Sequence, residues 1–106
     1  MTVSNVTISP NSGVTLSDVS CMCYGRLVVF SANIKYANAG TDYSVCWVSG
    51  QINSIYRPLT KTWLSSDYYG NGAKCEAWID TSGIIHIAQG EGDKYIKVSG
   101  VWVMHG

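Results

Sequence analysis

Between residues 28 and 36 every second side chain is apolar: Val28, Phe30, Ala32, Ile34 and Tyr36. Period-two alternation marks a β-strand with one buried face, because successive Cβ atoms point to opposite sides of the pleat. A helix would need apolar residues three and four apart, and no window of about eleven residues keeps that spacing. The other face of the same segment, residues 26–37, runs Leu27, Val29, Ser31, Asn33, Lys35. It starts apolar and ends polar. One end of this strand is therefore expected to be covered on both faces, by a subunit or by a loop.

Shorter runs of the same kind surround it. Residues 3–9 read as a first strand and Pro10-Asn11-Ser12-Gly13 as a turn. Residues 14–23 form a second strand, with Val14 and Leu16 on one face and Val19, Cys21 and Cys23 on the other. The change of parity near Asp18 predicts a bulge. After a loop at 38–42, residues 43–50 give a strand in which Val45 and Trp47 share a face. Residues 51–74 alternate poorly and read as an irregular aromatic connection, with one short strand at 60–64. Connections of that length are commonly functional. Ala73, Cys75, Ala77 and Ile79 then alternate with Lys74, Glu76 and Trp78. Asp80-Thr81-Ser82-Gly83 is a hairpin turn with glycine in the left-handed position, and residues 84–88 return. A second turn at 89–93 leads to a closing strand at 95–104, with Gly100 expected as a bulge. About eight or nine short strands predict an all-β fold, a two-sheet antiparallel β-sandwich of jelly-roll type. The length suits a single domain spanning residues 1–106.

A domain this small has much surface, and charge usually covers it. Here charged residues are 13% of the chain, against roughly 25% in ordinary soluble domains. Ser, Thr, Asn, Gly and Tyr take their place. Part of this surface is expected to be buried against copies of the same chain. The net charge is zero, so no long-range field draws in nucleic acid or an anionic membrane. No segment approaches the ~18 apolar residues of a membrane span, and residues 1–5 lack the blocks of a secretory leader.

Four cysteines, Cys21, Cys23, Cys46 and Cys75, read first as small apolar core residues kept reduced, with a disulfide or a metal site as alternatives. Cys21 and Cys23 share a strand face and cannot easily bond to each other. Their spacing is also not the C-x2-C of most zinc sites. No catalytic arrangement is readable. The acids Asp18, Asp42, Asp67, Asp80, Glu91 and Asp93 fall mostly at turns, and Glu76 on a polar strand face. His86 points opposite to its neighbours Ile85 and Ile87, and His105 is next to last. Gly90-Glu91-Gly92-Asp93 supplies too few oxygens for calcium and reads as a solvated turn. The chain is expected to be no enzyme, with no cofactor and no metal.

Saccharide binding is the sharper expectation. Sugars present apolar C–H faces to aromatic rings and hydroxyls to Asp, Asn and Tyr. Trp63, Asp67, Tyr68, Tyr69 and Asn71 bring both kinds of group into one connection and are the candidate ligand-binding residues. Leu27, Val29, Trp78 and Trp102 are the candidate oligomer interface, with Trp102 and Trp47 both read as core or interface.

Four landmarks follow in order along the chain. They are Tyr24-Gly25-Arg26-Leu27-Val28-Val29-Phe30-Ser31-Ala32-Asn33-Ile34, Ile55-Tyr56-Arg57-Pro58, the hairpin Ala77-Trp78-Ile79-Asp80-Thr81-Ser82-Gly83-Ile84-Ile85-His86-Ile87, and Ile96-Lys97-Val98-Ser99-Gly100-Val101-Trp102. Over about residues 14–104 this order resembles the C-terminal head domains of tail-fibre, baseplate and head-fibre proteins of bacteriophages and prophages. The family's L-P-x-x-Y-R-P lead-in is here Asn53-Ser54-Ile55-Tyr56-Arg57-Pro58, without the first proline. The resemblance implies a β-sandwich head, a homotrimer at the end of a longer fibre, that adheres to host cell-surface saccharide. It implies a virion location, after assembly in the bacterial cytoplasm and with action outside the cell. An upstream fibre or baseplate protein is then a partner, and residues 1–13 read as a linker or a strand swapped from that fibre. Alternatives are a purely structural trimerisation cap and a secreted lectin-like adhesin.

Overall fold

A computed structural model of the chain describes residues 2–36, 43–48, 54–68, 75–88 and 95–105. Among them lie nine strands: β1 (Val3–Asn5), β2 (Ile8–Pro10), β3 (Val14–Tyr24), β4 (Leu27–Tyr36), β5 (Tyr43–Val48), β6 (Thr62–Tyr68), β7 (Glu76–Ile79), β8 (Ile84–Ala88) and β9 (Ile96–Val103). The fold is all-β and antiparallel, with no helix among the described residues. Hydrogen bonds join the strands in the order β1-β3-β4-β9-β6-β7-β8-β5-β2, as one sheet curled into a half-barrel.

The alternation of β4 decides where the core lies. Val28, Phe30, Ala32, Ile34 and Tyr36 are all buried, in one cluster with Ile96 and Val98 of the neighbouring β9 and with Ile79, Ile85, Ile87 and Val45 of β7, β8 and β5. Each Val, Ile or Phe side chain among them, taken out of water, contributes about 1.5–3 kcal/mol before entropy is charged against it. The bulge expected near Asp18 is present. Ser17 pairs with Asn33 and Ser20 with Ser31, so β3 advances three residues against two on β4. Asp18 takes the left-handed backbone (φ 52°) and its carboxylate accepts a hydrogen bond from Asn33. The extra residue inverts the parity, so that Val14 and Leu16 before it, and Cys21 and Cys23 after it, all face the same core. Val19, grouped with the cysteines on sequence parity, is turned out to solvent.

Several expectations need correction. Residues 3–9 are not one strand. The chain breaks at residues 6–7, so that β1 pairs with β3 at one sheet edge and β2 with β5 at the other. In β5 the register shifts between Ser44 and Cys46, which buries both Val45 and Cys46 and ends simple alternation there. Gly100 is not a bulge. It pairs with Phe30 in unbroken register, and a Cβ on it would run into Leu64 Cδ2. At that point β6 changes neighbours: Ser65–Tyr68 pair with β9, while Thr62–Leu64 pair with β7. Leu64 fills the corner over the bare glycine as the sheet turns from one half to the other.

The Ile55-Tyr56-Arg57-Pro58 landmark is a structural clamp. Ser54 accepts the Arg57 N–H in a turn, buried Pro58 bridges to Met104, and the Tyr56 carbonyl accepts the Trp102 indole N–H at 2.7 Å. Trp102, open to core or interface on sequence, takes the core and not the interface: it is 3% exposed and packed against Phe30, with no face left for a partner. The four cysteines are free thiols. Burial pushes Cys21, beside Cys23, and Cys46, beside Cys21, up to about 12.

Candidate functional site: an outward aromatic row

The segment expected to be irregular contains strand β6. Its inner positions are Thr62, Leu64 and Ser66, of which only Leu64 is fully buried. Small and polar residues on the buried face hid the alternation. The outer positions Trp63, Ser65 and Asp67 are all exposed. Trp63 and Asp67 therefore stand on a strand face and not in a loop. They lie four residues apart, about 13 Å along the strand. Asp67 is directly across from exposed Lys97 of β9. Tyr69 and Asn71 lie outside the described residues, as do the side chains of Tyr68 and Trp47 and the turns expected at 38–42 and 89–93.

Register assembles a row that crosses three strands. Trp63 is opposite Trp78, and Trp78 is opposite His86. The two indoles meet at 5.5 Å between ring centres with their planes 58° apart. Trp78 and His86 stack almost in parallel, 5° apart, at 5.1 Å. Lys61 crowns the row, its Nζ 4.2 Å from the Trp63 ring centre and 4.9 Å from that of Trp78. Cross-strand aromatic pairs and exposed cation–π contacts of this kind each contribute up to about 1 kcal/mol. Trp63 nevertheless keeps 60% of its surface open. Trp78 does face outward, as its parity predicts, but it is half-covered by its two neighbours in the row.

The far end of the row is braced by the hairpin turn. Asp80 N–H donates to Ile84 O and Gly83 N–H to Asp80 O, with Gly83 in the left-handed backbone (φ 88°). Asp80 Oδ1 accepts the N–H groups of Ser82 and Ile84, and Asp80 Oδ2 lies 2.7 Å from His86 Nε2. A carboxylate can only accept, so His86 carries a proton on Nε2. Partial burial pushes the Asp80 carboxyl up. The hydrogen bonds from His86, Ile84 and Ser82 and the nearby His86 charge outweigh that and hold it below the usual carboxylate range. His86 is thus fixed in orientation and keeps Trp78 flat.

Lys61, Trp78, Asp80 and His86 had no place in the ligand site read from sequence. Half of the row was within reach of sequence reasoning. A three-residue hairpin loop after Asp80 puts residue 78 opposite residue 86. The pairing of β6 with β7 has no such local signal. Among the described residues, no group of three or more His, Cys, Asp or Glu side chains converges to hold a metal.

A second surface lies on the outer face of the other half of the sheet. Leu27 is opposite Val103 and Val29 opposite Val101, and all four are exposed, as are Val3 and Tyr24 beside them. The polar outer positions Ser31, Asn33 and Lys35 of β4 follow on.

No protein-family model matches the chain, and no curated protein matches it.

Proposed function

We propose that this domain is the non-catalytic receptor-binding head of a phage or prophage fibre, holding host cell-surface saccharide on the β6–β7–β8 face. The observation that carries the reading is Trp63: a large indole left 60% exposed at the end of a braced aromatic row. An aromatic held this way on a strand offers a preformed stacking platform and loses little entropy on binding. Asp67, on the same outer face about 13 Å away, offers a hydroxyl acceptor to an extended chain of sugars. The apolar outer face at Leu27, Val29, Val101 and Val103 is the surface we assign to the other copies of a homotrimer. It sits on the other half of the sheet from the Trp63 row, so assembly leaves the row free. We read the two halves, which share one core, as the layers of a jelly-roll-like sandwich. The resemblance of the four sequence landmarks over about residues 14–104 to phage head domains supports the virion setting.

A pull-down on host cell walls with the wild-type chain and Trp63→Ala tests the reading. The wild type is expected to be retained and the variant lost, with its far-UV circular dichroism unchanged. Retention of both would remove the site. A purely structural cap, favoured by the apolar face alone, would be retained in neither form.

A further inference from the structure

The Trp63 row holds a positive charge with no carboxylate assigned to it. Lys61 is exposed, and strand parity sets it on the same face as Trp63. Thr62 Oγ1 donates to the Thr60 carbonyl and fixes the backbone on either side of it. Its ammonium rests against two indoles, and among the described residues no carboxylate pairs with it. The one carboxylate bonded into the row, Asp80, is committed elsewhere, to two backbone N–H groups and to His86. Asp67 lies six residues along β6 from Lys61, about 20 Å away. An ammonium lying on ring faces sheds part of its water there but keeps N–H donors pointing outward, so it is prepared for an anion.

We propose that the saccharide held on this row is acidic. Its carboxylate or phosphate group pairs with Lys61 while its sugar ring rests on Trp63. The two contacts lie within one sugar unit of each other, because Nζ stands 4.2 Å from the Trp63 ring centre. This rests on the row being the saccharide site. Lys61 then discriminates between acidic and neutral glycans, and Trp63 supplies the stacking that both would share.

Titration of the full chain, followed by tryptophan fluorescence, decides it. The probes are an oligogalacturonate, an oligomeric glycerol phosphate and the methyl-esterified, neutral form of the first. At least one acidic probe is expected to bind, with affinity falling as salt rises, and which one binds tells a carboxylate from a phosphate ligand. Lys61→Gln is expected to weaken that binding roughly tenfold, the size of a charge-assisted hydrogen bond. It should also flatten the salt dependence, while Lys61→Arg restores both. Equal affinity for the neutral and acidic probes overturns the inference, as does Lys61→Gln binding like the wild type. So does the failure of both acidic probes. If Trp63→Ala still abolishes cell-wall retention in those cases, the saccharide reading stands and only the acidic specificity falls.

Discussion

Gly100 and Leu64 together set the corner at which β6 leaves β9 for β7, and their coupling can be predicted in sign and size. Gly100 is not among the glycines with positive φ, so its backbone suits alanine. Elsewhere such a change would stabilise by about 0.4–1 kcal/mol, because alanine restricts the unfolded chain. Here the new methyl occupies the space of Leu64 Cδ2. Leu64 is 7% exposed and cannot swing freely into water. Forcing it off its rotamer costs about 0.5–1.5 kcal/mol, and overpacking a tight corner costs about 1–3 kcal/mol in all. The net expectation for Gly100→Ala is a loss of about 1 kcal/mol, or some 4–8 °C in a domain near this size. Leu64→Ala alone should lose about 2–3 kcal/mol through the cavity it leaves. In that background the obstruction is gone, so Gly100→Ala should change sign and stabilise by up to ~1 kcal/mol. Urea denaturation of the four proteins closes the cycle. A coupling of about 1.5–2 kcal/mol is expected, within the range for side chains in contact. Additive losses, or a Gly100→Ala variant more stable than the wild type, would refute the packing explanation of this glycine.

Other outcomes follow from the same geometry. Because the folded pKa of Asp80 lies below its unfolded value, its stabilising effect is fully present above the unfolded value and is lost as the pH falls through the folded one. The stability difference between wild type and Asp80→Asn, measured by thermal melts from pH 7 to pH 3, should therefore shrink on the acid side; a constant difference would deny the carboxylate this role. Leu27→Lys with Val101→Lys places charges on two exposed positions of the apolar face, so light scattering should show a trimer become a folded monomer. A wild type that is already monomeric at micromolar concentration would sink the interface. With their thiols raised to about 12, Cys21 and Cys46 should resist iodoacetamide at pH 7.5 until the protein is unfolded, as mass spectrometry of alkylated peptides would show.

Legibility in the sequence follows the distance over which structure is encoded. The alternation of β4, the bulge at Asp18 and the hairpin at Asp80–Gly83 depend on residues a few positions apart, and each is where its pattern puts it. The outward aspect of Trp78 and His86 belongs to the same class, since a three-residue loop fixes that pair. β6 is different. Its buried face is Thr62, Leu64 and Ser66, which carries almost no apolar signal, and one of its two neighbours, β9, lies some thirty positions further along the chain. Gly100 has the composition of a bulge and is instead a gap filled by a side chain from another strand. Trp102 shares the inward parity of Ile96 and Val98 in unbroken register, and only the tertiary structure supplies the Tyr56 carbonyl that accepts its N–H there.

Alternation and composition are enough to make this chain form antiparallel strands with one apolar face, to leave few charges on the outside, and to set Leu27 and Val29 on the face opposite the core. Those are properties of local alternation and composition, and they hold whatever the strands pair with. The row of Trp63, Trp78 and His86, the Lys61 that crowns it and the Asp80 that braces it exist only once the strands are paired. Cross-strand register makes such neighbours, and for β6 that register is set where the sheet bends and Leu64 packs over Gly100.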